Sequence, residues 1–198
     1  MNDEPAGIAA LLGRYSVGPK HLIAPGPDEA QLRLMVETAL RAPDHGELLP
    51  FRFKAVRSDA AKAKMADLFA AAARKVGKDE AASAIDAERA LGPPLTVAVV
   101  ARIDLGHPLV PAHEQWACVG GAIANFLNAA HLLGFGGKML SGAKVRDAAI
   151  AAAFCESGET LLGWIALGTP VKKPSGPSRK GGVDAALSDW AWFSPPPC

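Results

Sequence analysis

Cysteine is scarce in this chain. Cys118, Cys155 and Cys198 are odd in number, far apart, and form neither a CxxC pair nor a Cys/His ligand spacing. That excludes a disulfide-built scaffold and points to reduced thiols in a cytosolic protein. Cys118 lies in an apolar helical run and reads as packed core rather than nucleophile. Metal-ligand patterns are missing too: His21, His45, His107, His113 and His131 show no HExxH or paired spacing, so no metal site is expected. Charge is thin at 21% and nearly balanced, with a formal net charge of +1, which gives no electrostatic reason to expect nucleic acid. The first residues, Met1-Asn2-Asp3-Glu4, lack a basic stretch leading into an apolar core, so no signal peptide is expected.

What the chain has in quantity is apolar surface. Hydrophobic residues make up 49% of 198, enough for a single domain over 1–198 with a substantial core. Little charge and much Ala suit a helix-rich protein that hides further apolar surface in a subunit interface. From Trp116 to Gly137 there is no charged residue, a length able to span a bilayer. Asn125, Asn128 and His131 recur there at helical spacing and would be costly in lipid. A buried central helix shared with a partner subunit fits better than a membrane span, and Gly120 and Gly121 allow a close helix neighbour.

Periodicity and breakers divide the chain. A short helix is predicted over Pro5–Gly13, and a second begins at Pro27-Asp28-Glu29, with Asp28 as cap and Leu32, Met35, Val36 and Leu40 on one face. Phe51–Val56 reads as a strand, and helices follow over about 60–75 and 79–91. Leu95–Ala101 is a continuous apolar run with β-branched residues, so a strand buried on both faces. After the uncharged helix come a short strand at 135–140, a short helix at 145–154 and an apolar strand at 159–167 closed by Gly168-Thr169-Pro170. The tail from Val171, rich in Pro, Lys, Ser and Gly, reads as an extended segment. The expected fold class is α+β: a sheet of four or five strands packed by long helices.

Local motifs carry little chemistry on their own. Gly134-Phe135-Gly136-Gly137 follows a helix rather than a strand, which is the wrong context for a dinucleotide fingerprint. Ser141-Gly142-Ala143-Lys144 matches SxxK, but its SDN and KTG companions are absent, and Ser141 reads as a cap for the helix starting near Lys144. Loop cations and hydroxyls remain: Arg14 and Ser16, Arg41 and His45, Ser141, and Lys172 to Lys180. They suit the grip on a phosphorylated cofactor. Arg14 and Arg41 equally suit cations offsetting helix C-terminal dipoles, and local pattern favours that plainer role.

One stretch shifts the balance. Arg41-Ala42-Pro43-Asp44-His45 with Leu49-Pro50-Phe51-Arg52-Phe53 resembles the RAPDHxxxxPWxF segment of the short, YdjA-like branch of the flavin-dependent nitroreductases. In the same order along the chain, Leu11–Ser16 resembles the family's RRS region and Pro93–Ala101 its central strand. Glu114-Gln115-Trp116 resembles the opening of its long helix, Leu133–Gly142 its GFGGxWRSG turn, and Leu167–Pro170 its LGTP ending.

The resemblance implies a homodimer of nitroreductase-like α+β fold with a mostly antiparallel central sheet. It also implies FMN at the interface, a C-terminal extension (171–198) reaching over the partner, and NADH or NADPH as electron donor. Carried over by position, Arg14, Tyr15 and Ser16 approach FMN from one subunit, with Arg14 and Ser16 on the phosphate side. Arg41 and His45 approach from the other subunit, Arg41 at the flavin N1/O2 edge. Met139, Leu140 and Ser141 form a further flavin-contacting turn, and Arg179 is the candidate phosphate cation of the tail. Ala129–Gly134 matches the segment that meets the nicotinamide cofactor, and helix packing explains it equally well. No catalytic acid or base is assigned. Tyr15 stands where RRS has its second arginine, Phe51 for a tryptophan, and Met139 and Leu140 for the tryptophan and arginine of WRSG, so two cations near the cofactor are absent. Three functions follow: reduction of a nitroaromatic, quinone or similar small acceptor by hydride transfer through FMN; different redox chemistry on the same flavin; or a non-enzymatic FMN-binding dimer.

Overall fold

The computed structural model describes residues 5–171 and 182–190. Five strands form one sheet: β1 (Leu22–Ile23), β2 (Phe51–Val56), β3 (Leu95–Ala101), β4 (Gly136–Leu140) and β5 (Thr160–Pro170). β5 pairs with β1, β3 and β4, β3 pairs with β2, and every pair is antiparallel. Six helices flank the sheet: α1 (Ala6–Leu12), α2 (Glu29–Ala39), α3 (Asp59–Lys75), α4 (Glu80–Leu91), α5 (Ala112–Leu132) and α6 (Ala148–Phe154). This is the expected α+β architecture.

All seven residues of β3 are buried, as the unbroken apolar run predicts. Val97, Val99 and Ala101 turn to one core with Leu32, Met35 and Ala39 of α2 and Cys118, Ala122 and Phe126 of α5. Ala98 and Val100 turn to a second core with Met65 and Ala66 of α3, Ile150 and Phe154 of α6, and Trp164 of β5. A strand alternating between two dry layers needs apolar residues at every position.

Helix starts follow side-chain chemistry. Asp28 Oδ1 accepts the Gln31 N–H at 2.8 Å, and Gln31 Oε1 accepts the Asp28 N–H at 2.9 Å, a reciprocal cap. Ser58, Asp79 and Asp147 cap α3, α4 and α6. Ser141 caps nothing: a tight turn at Ala143–Arg146 follows Gly142, and α6 begins only after Asp147. The single helix predicted over 145–154 is thus two pieces. Leu40 is also displaced from the expected core face. The helix ends at Ala39, so Leu40 turns out to 50% exposure while Ala39 is buried. Gly121 does allow a close approach, but against Ala42 and Pro43 of a loop rather than a helix. The last strand runs through Gly168-Thr169-Pro170 to pair with β1, and the remainder of the tail is described only at 182–190.

Two features position the turn after β4. Gly163 of β5 has φ +143°, and a Cβ there would lie 2.0 Å from the Leu140 carbonyl oxygen. Beneath the turn, the buried carboxylate of Asp86 on α4 gathers Lys78 at 2.7 Å, Arg89 at 3.2 Å and Lys144 at 3.2 Å. Lys144 thereby ties the turn to the α3–α4 hairpin.

Gly163→Ala is expected to cost about 2–4 kcal/mol, from overpacking plus backbone strain. An unchanged melting temperature would show that β4 and β5 can part without loss. Burial pushes the Asp86 carboxyl up, but hydrogen bonds from Lys78 and Lys144 outweigh it and hold it below the usual carboxylate range. A carboxyl depressed on folding contributes stability above its unfolded pKa, about 4, that is lost as pH falls through the folded value. Asp86→Asn should therefore melt lower at neutral pH and show a shallower decline in melting temperature below about pH 4. Parallel curves for the variant and the parent would refute this role.

Candidate functional site

The residues singled out from the sequence fall into two groups along α5. At its C-terminal end, His131 Nε2 lies 3.0 Å from the Ala10 carbonyl oxygen, and the His131 and Tyr15 rings meet edge-on at 6.4 Å. This seats α1 and places Arg14–Ser16 beside β4. Ser16 forms a parallel bridge with Gly137, and the Val17 N–H donates to the Gly137 carbonyl at 3.1 Å. Arg14, Tyr15 and Ser16 therefore sit together with the strand that carries Met139 and Leu140. Ser141 lies four residues beyond Gly137, about 13 Å at 3.3 Å per residue.

Donors are available along this edge. The Ser16 and Ser141 hydroxyls are exposed. Among the described residues the Arg14 side chain has no hydrogen-bond or ion-pair partner, and neither has Lys138 next to Gly137. Lys138 was hidden in the sequence as the variable position of a glycine-rich turn, and only its place on an exposed edge reveals it. The edge can therefore take an elongated molecule with an anion at the Arg14 end and a polar rim near Ser141.

Tyr15 and Leu140, which stand where the family motifs carry arginines, pack against one apolar cluster of Val17, Leu22 and Ala166. Met139 instead packs against the α2–α5 core. Leu132 and Leu133, within the segment matched to nicotinamide contact, are exposed at 56% and 36%, whereas Ala129 and Ala130 are buried. Arg179 lies outside the described residues.

The second group lies over the N-terminal half of α5, where His45 meets Glu114 in the first turn and Ala42, next to Arg41, rests on Gly121 nearer the middle. His45 Nδ1 lies 2.7 Å from Glu114 Oε2, a partner 69 residues away that no local pattern announced. His45 opens a tight turn in which Gly46, Glu47 and Leu49 have φ of +76°, +52° and +48°. A left-handed non-glycine residue costs roughly 1–2 kcal/mol. The turn is held by Asp44 Oδ2, which accepts the Leu49 N–H at 2.8 Å, and by Arg102 Nη2, which donates to the Leu49 carbonyl at 2.9 Å. Strain secured this way fixes where His45 and the exposed Arg41 point. Among the described residues Arg41 has no side-chain partner.

His45 and His131 stand well apart: Glu114, the partner of His45, is 17 residues from His131 on α5, about 26 Å at 1.5 Å per residue. Between them runs a face without charge, in which Trp116, Ala117, Gly120 and Ala124 are exposed. No helix among the described residues is long and apolar enough to cross a membrane. No group of three or more potential metal ligands occurs among the described residues either.

Two cavities adjoin the β4 edge. One of about 120 Å³ is lined by Tyr15, Val17, His131 and Gly136. The larger, about 820 Å³, lies between the α3–α4 hairpin and the sheet, and its lining includes Leu22, Leu140 and Ser141.

A sequence model of the Nitroreductase family matches residues 11–169. A Haemophilus influenzae protein named "Putative NAD(P)H nitroreductase" is 34% identical over 158 residues, covering 78% of this chain and 84% of that protein. An Escherichia coli protein of the same name, YdjA, is 31% identical over 171 residues, covering 85% and 90%. A crystal structure from Desulfovibrio desulfuricans, in complex with FMN, superimposes with a TM-score of 0.70 at 22% identity, covering 96% of this chain and 99% of that one.

Burial, with Asp44 adding to it, pushes the Cys118 thiol up to about 11. It should stay unlabelled by iodoacetamide at about pH 8 in the folded protein and react only after denaturation. Labelling of the Cys118 peptide at the denatured rate would show that this end of α5 opens.

Proposed function

We propose, since the chain belongs to the nitroreductase family, that it is an FMN-dependent oxidoreductase working as a homodimer. NADH or NADPH is the electron donor, and a nitroaromatic, quinone or similar electron-poor molecule is the acceptor. The observation that carries this reading is the separation of the two residue groups along α5. A two-fold copy packed antiparallel on the uncharged face brings the Arg41–His45 end of one subunit to the Arg14–Ser16 end of the other, and does so twice. The exposed Val183, Leu187 and Trp190 supply apolar side chains for an arm reaching across that dimer.

The donor set fits FMN. Arg14 and Ser16 would bind the phosphate, with Lys138 as a further cation close by. Met139 and Leu140 would offer apolar contact to the ring, and Ser141 a hydrogen bond at its edge. Arg41, from the other subunit, would face the N1/O2 edge, where a cation favours negative charge. His45 would be oriented by Glu114. Bound FMN would supply the hydride-transfer chemistry that links the nicotinamide donor to the acceptor. The protein's share is to bind, orient and exclude water, and no side chain need move a proton.

Two measurements test this. The purified protein with added FMN should show flavin absorption bands that bleach anaerobically with NADH or NADPH and return with an acceptor. Arg14→Ala and Arg41→Ala should each lose FMN affinity and activity. An equimolar mixture refolded together should recover about a quarter of wild-type activity, because half the dimers are mixed and each carries one unaltered site. No recovery, with both variants dimeric, would mean that the two arginines do not share a site across subunits.

A further inference from the structure

The 2.7 Å contact between His45 Nδ1 and Glu114 Oε2 joins two elements that are secured separately. On the histidine side, Asp44 and Arg102 hold the strained turn. A Cβ at Gly46 would lie 3.3 Å from the Val110 side chain, so the turn rests closely on the loop that leads into α5. On the glutamate side, the buried Gln115 pins that loop. Its Nε2 donates to the Asp104 and Val110 carbonyls at 2.8 and 3.0 Å, and its Oε1 accepts the Asp104 N–H at 2.8 Å. Glu114, one residue earlier, stands in the first turn of α5, where the helix dipole favours a carboxylate.

Stability does not explain the contact. The two side chains are 61% and 41% exposed, and an exposed pair of this kind adds little. Its consequence is chemical. An ionised carboxylate only accepts hydrogen bonds, so the ring proton must sit on Nδ1, which leaves Nε2 of the neutral imidazole with a bare lone pair. The adjacent Asp44 carboxylate is taken up by the Leu49 N–H. Among the described residues His45 Nε2 has no hydrogen-bond partner. The chain thus holds out a single, oriented acceptor beside Arg41, which can only donate.

We propose that Glu114 is a positioning residue: it holds His45 in the Nδ1–H tautomer, so that Nε2 accepts a hydrogen bond from the flavin. The proposal rests on the FMN reading for the identity of the ligand, and it restricts which atoms of FMN the ring can meet. The carbonyl oxygens and N1 of the oxidised ring system only accept, and suit Arg41. The ring N3–H and the ribityl hydroxyls donate, and suit Nε2. Arg41 and His45, four residues apart on one loop, divide the acceptors and donors of one ligand between them.

The first test needs no flavin. In the flavin-free protein at about pH 7.5, nitrogen NMR of the histidine rings should show His45 protonated at Nδ1 and bare at Nε2. Glu114→Ala should shift that proton toward Nε2. Glu114→Gln, whose amide oxygen still accepts from Nδ1, should keep the Nδ1–H form. The second test is FMN binding. Glu114→Ala should weaken it about fivefold, as the loss of one hydrogen bond, and should cost nothing further in a His45→Ala protein, because it acts only through that ring. With 3-methyl-FMN, an effect of Glu114→Ala would assign the donor to a ribityl hydroxyl, and no effect would assign it to N3–H; either supports an accepting Nε2. A parent protein with Nε2 protonated, a tautomer indifferent to Glu114→Ala, or an equal loss of FMN affinity with and without His45 would each overturn the proposal. Failure of the flavin reading shows separately, as a parent protein that binds no FMN while its His45 tautomer is as stated.

Discussion

Everything at the candidate site hangs on β5. Eleven residues long and buried along most of its length, it pairs with β1, β3 and β4. Among the described residues β4 has β5 as its only full strand partner, and its other edge is bridged by Ser16 to the loop that carries Arg14. Gly163 lets β5 come against the Leu140 carbonyl where any side chain would collide. Backbone pairing therefore sets the position of the Met139–Ser141 turn, and the Asp86–Lys144 ion pair ties it to the α3–α4 hairpin. A ligand-binding turn fixed by a ladder is more tightly held than one resting on loop contacts alone.

The second constraint is length. A helix of 21 residues keeps His45, at its first turn, far from His131 near its last. The proposed dimer rests on this separation as much as on the apolar face. Exposed Trp116, Ala117 and Gly120 alone would say only that something covers them. The strained and well-secured turn at His45 has no evident use to the isolated chain, whose nearest candidate ligand edge is a helix-length away.

Much of the fold was legible because its elements carry strong local signals. The β-branched run of β3 and the cap at Asp28 are written within a few residues, and both are observed where expected, the cap with Gln31 as its reciprocal partner. What was illegible depends on distant partners. β1 is two residues long and exists only because Thr169 and Pro170 return to it. Leu40 shared the periodicity of its helix, yet the helix stops one residue earlier and the side chain swings out. Ser141 had the chemistry of a cap, but Gly142, at φ +136°, turns the chain before any helix starts, and Asp147 takes that role. At the site, the resemblance supplied the residue names and the structure supplied their partition. Neither the pairing of His45 with Glu114 nor the charge at Lys138 had a local signal to stand out.

Tyr15 and Leu140 show how the chain departs from its family without losing the fold. Considered singly along the sequence, each is a lost cation. In the structure they pack against the same three buried residues, so an arginine restored at one position would face an apolar neighbourhood shaped by the other. A guanidinium there would be partly desolvated among apolar side chains, which costs free energy unless an opposite charge offsets it. The two positions are thus expected to behave as a unit, non-additive on single reversion.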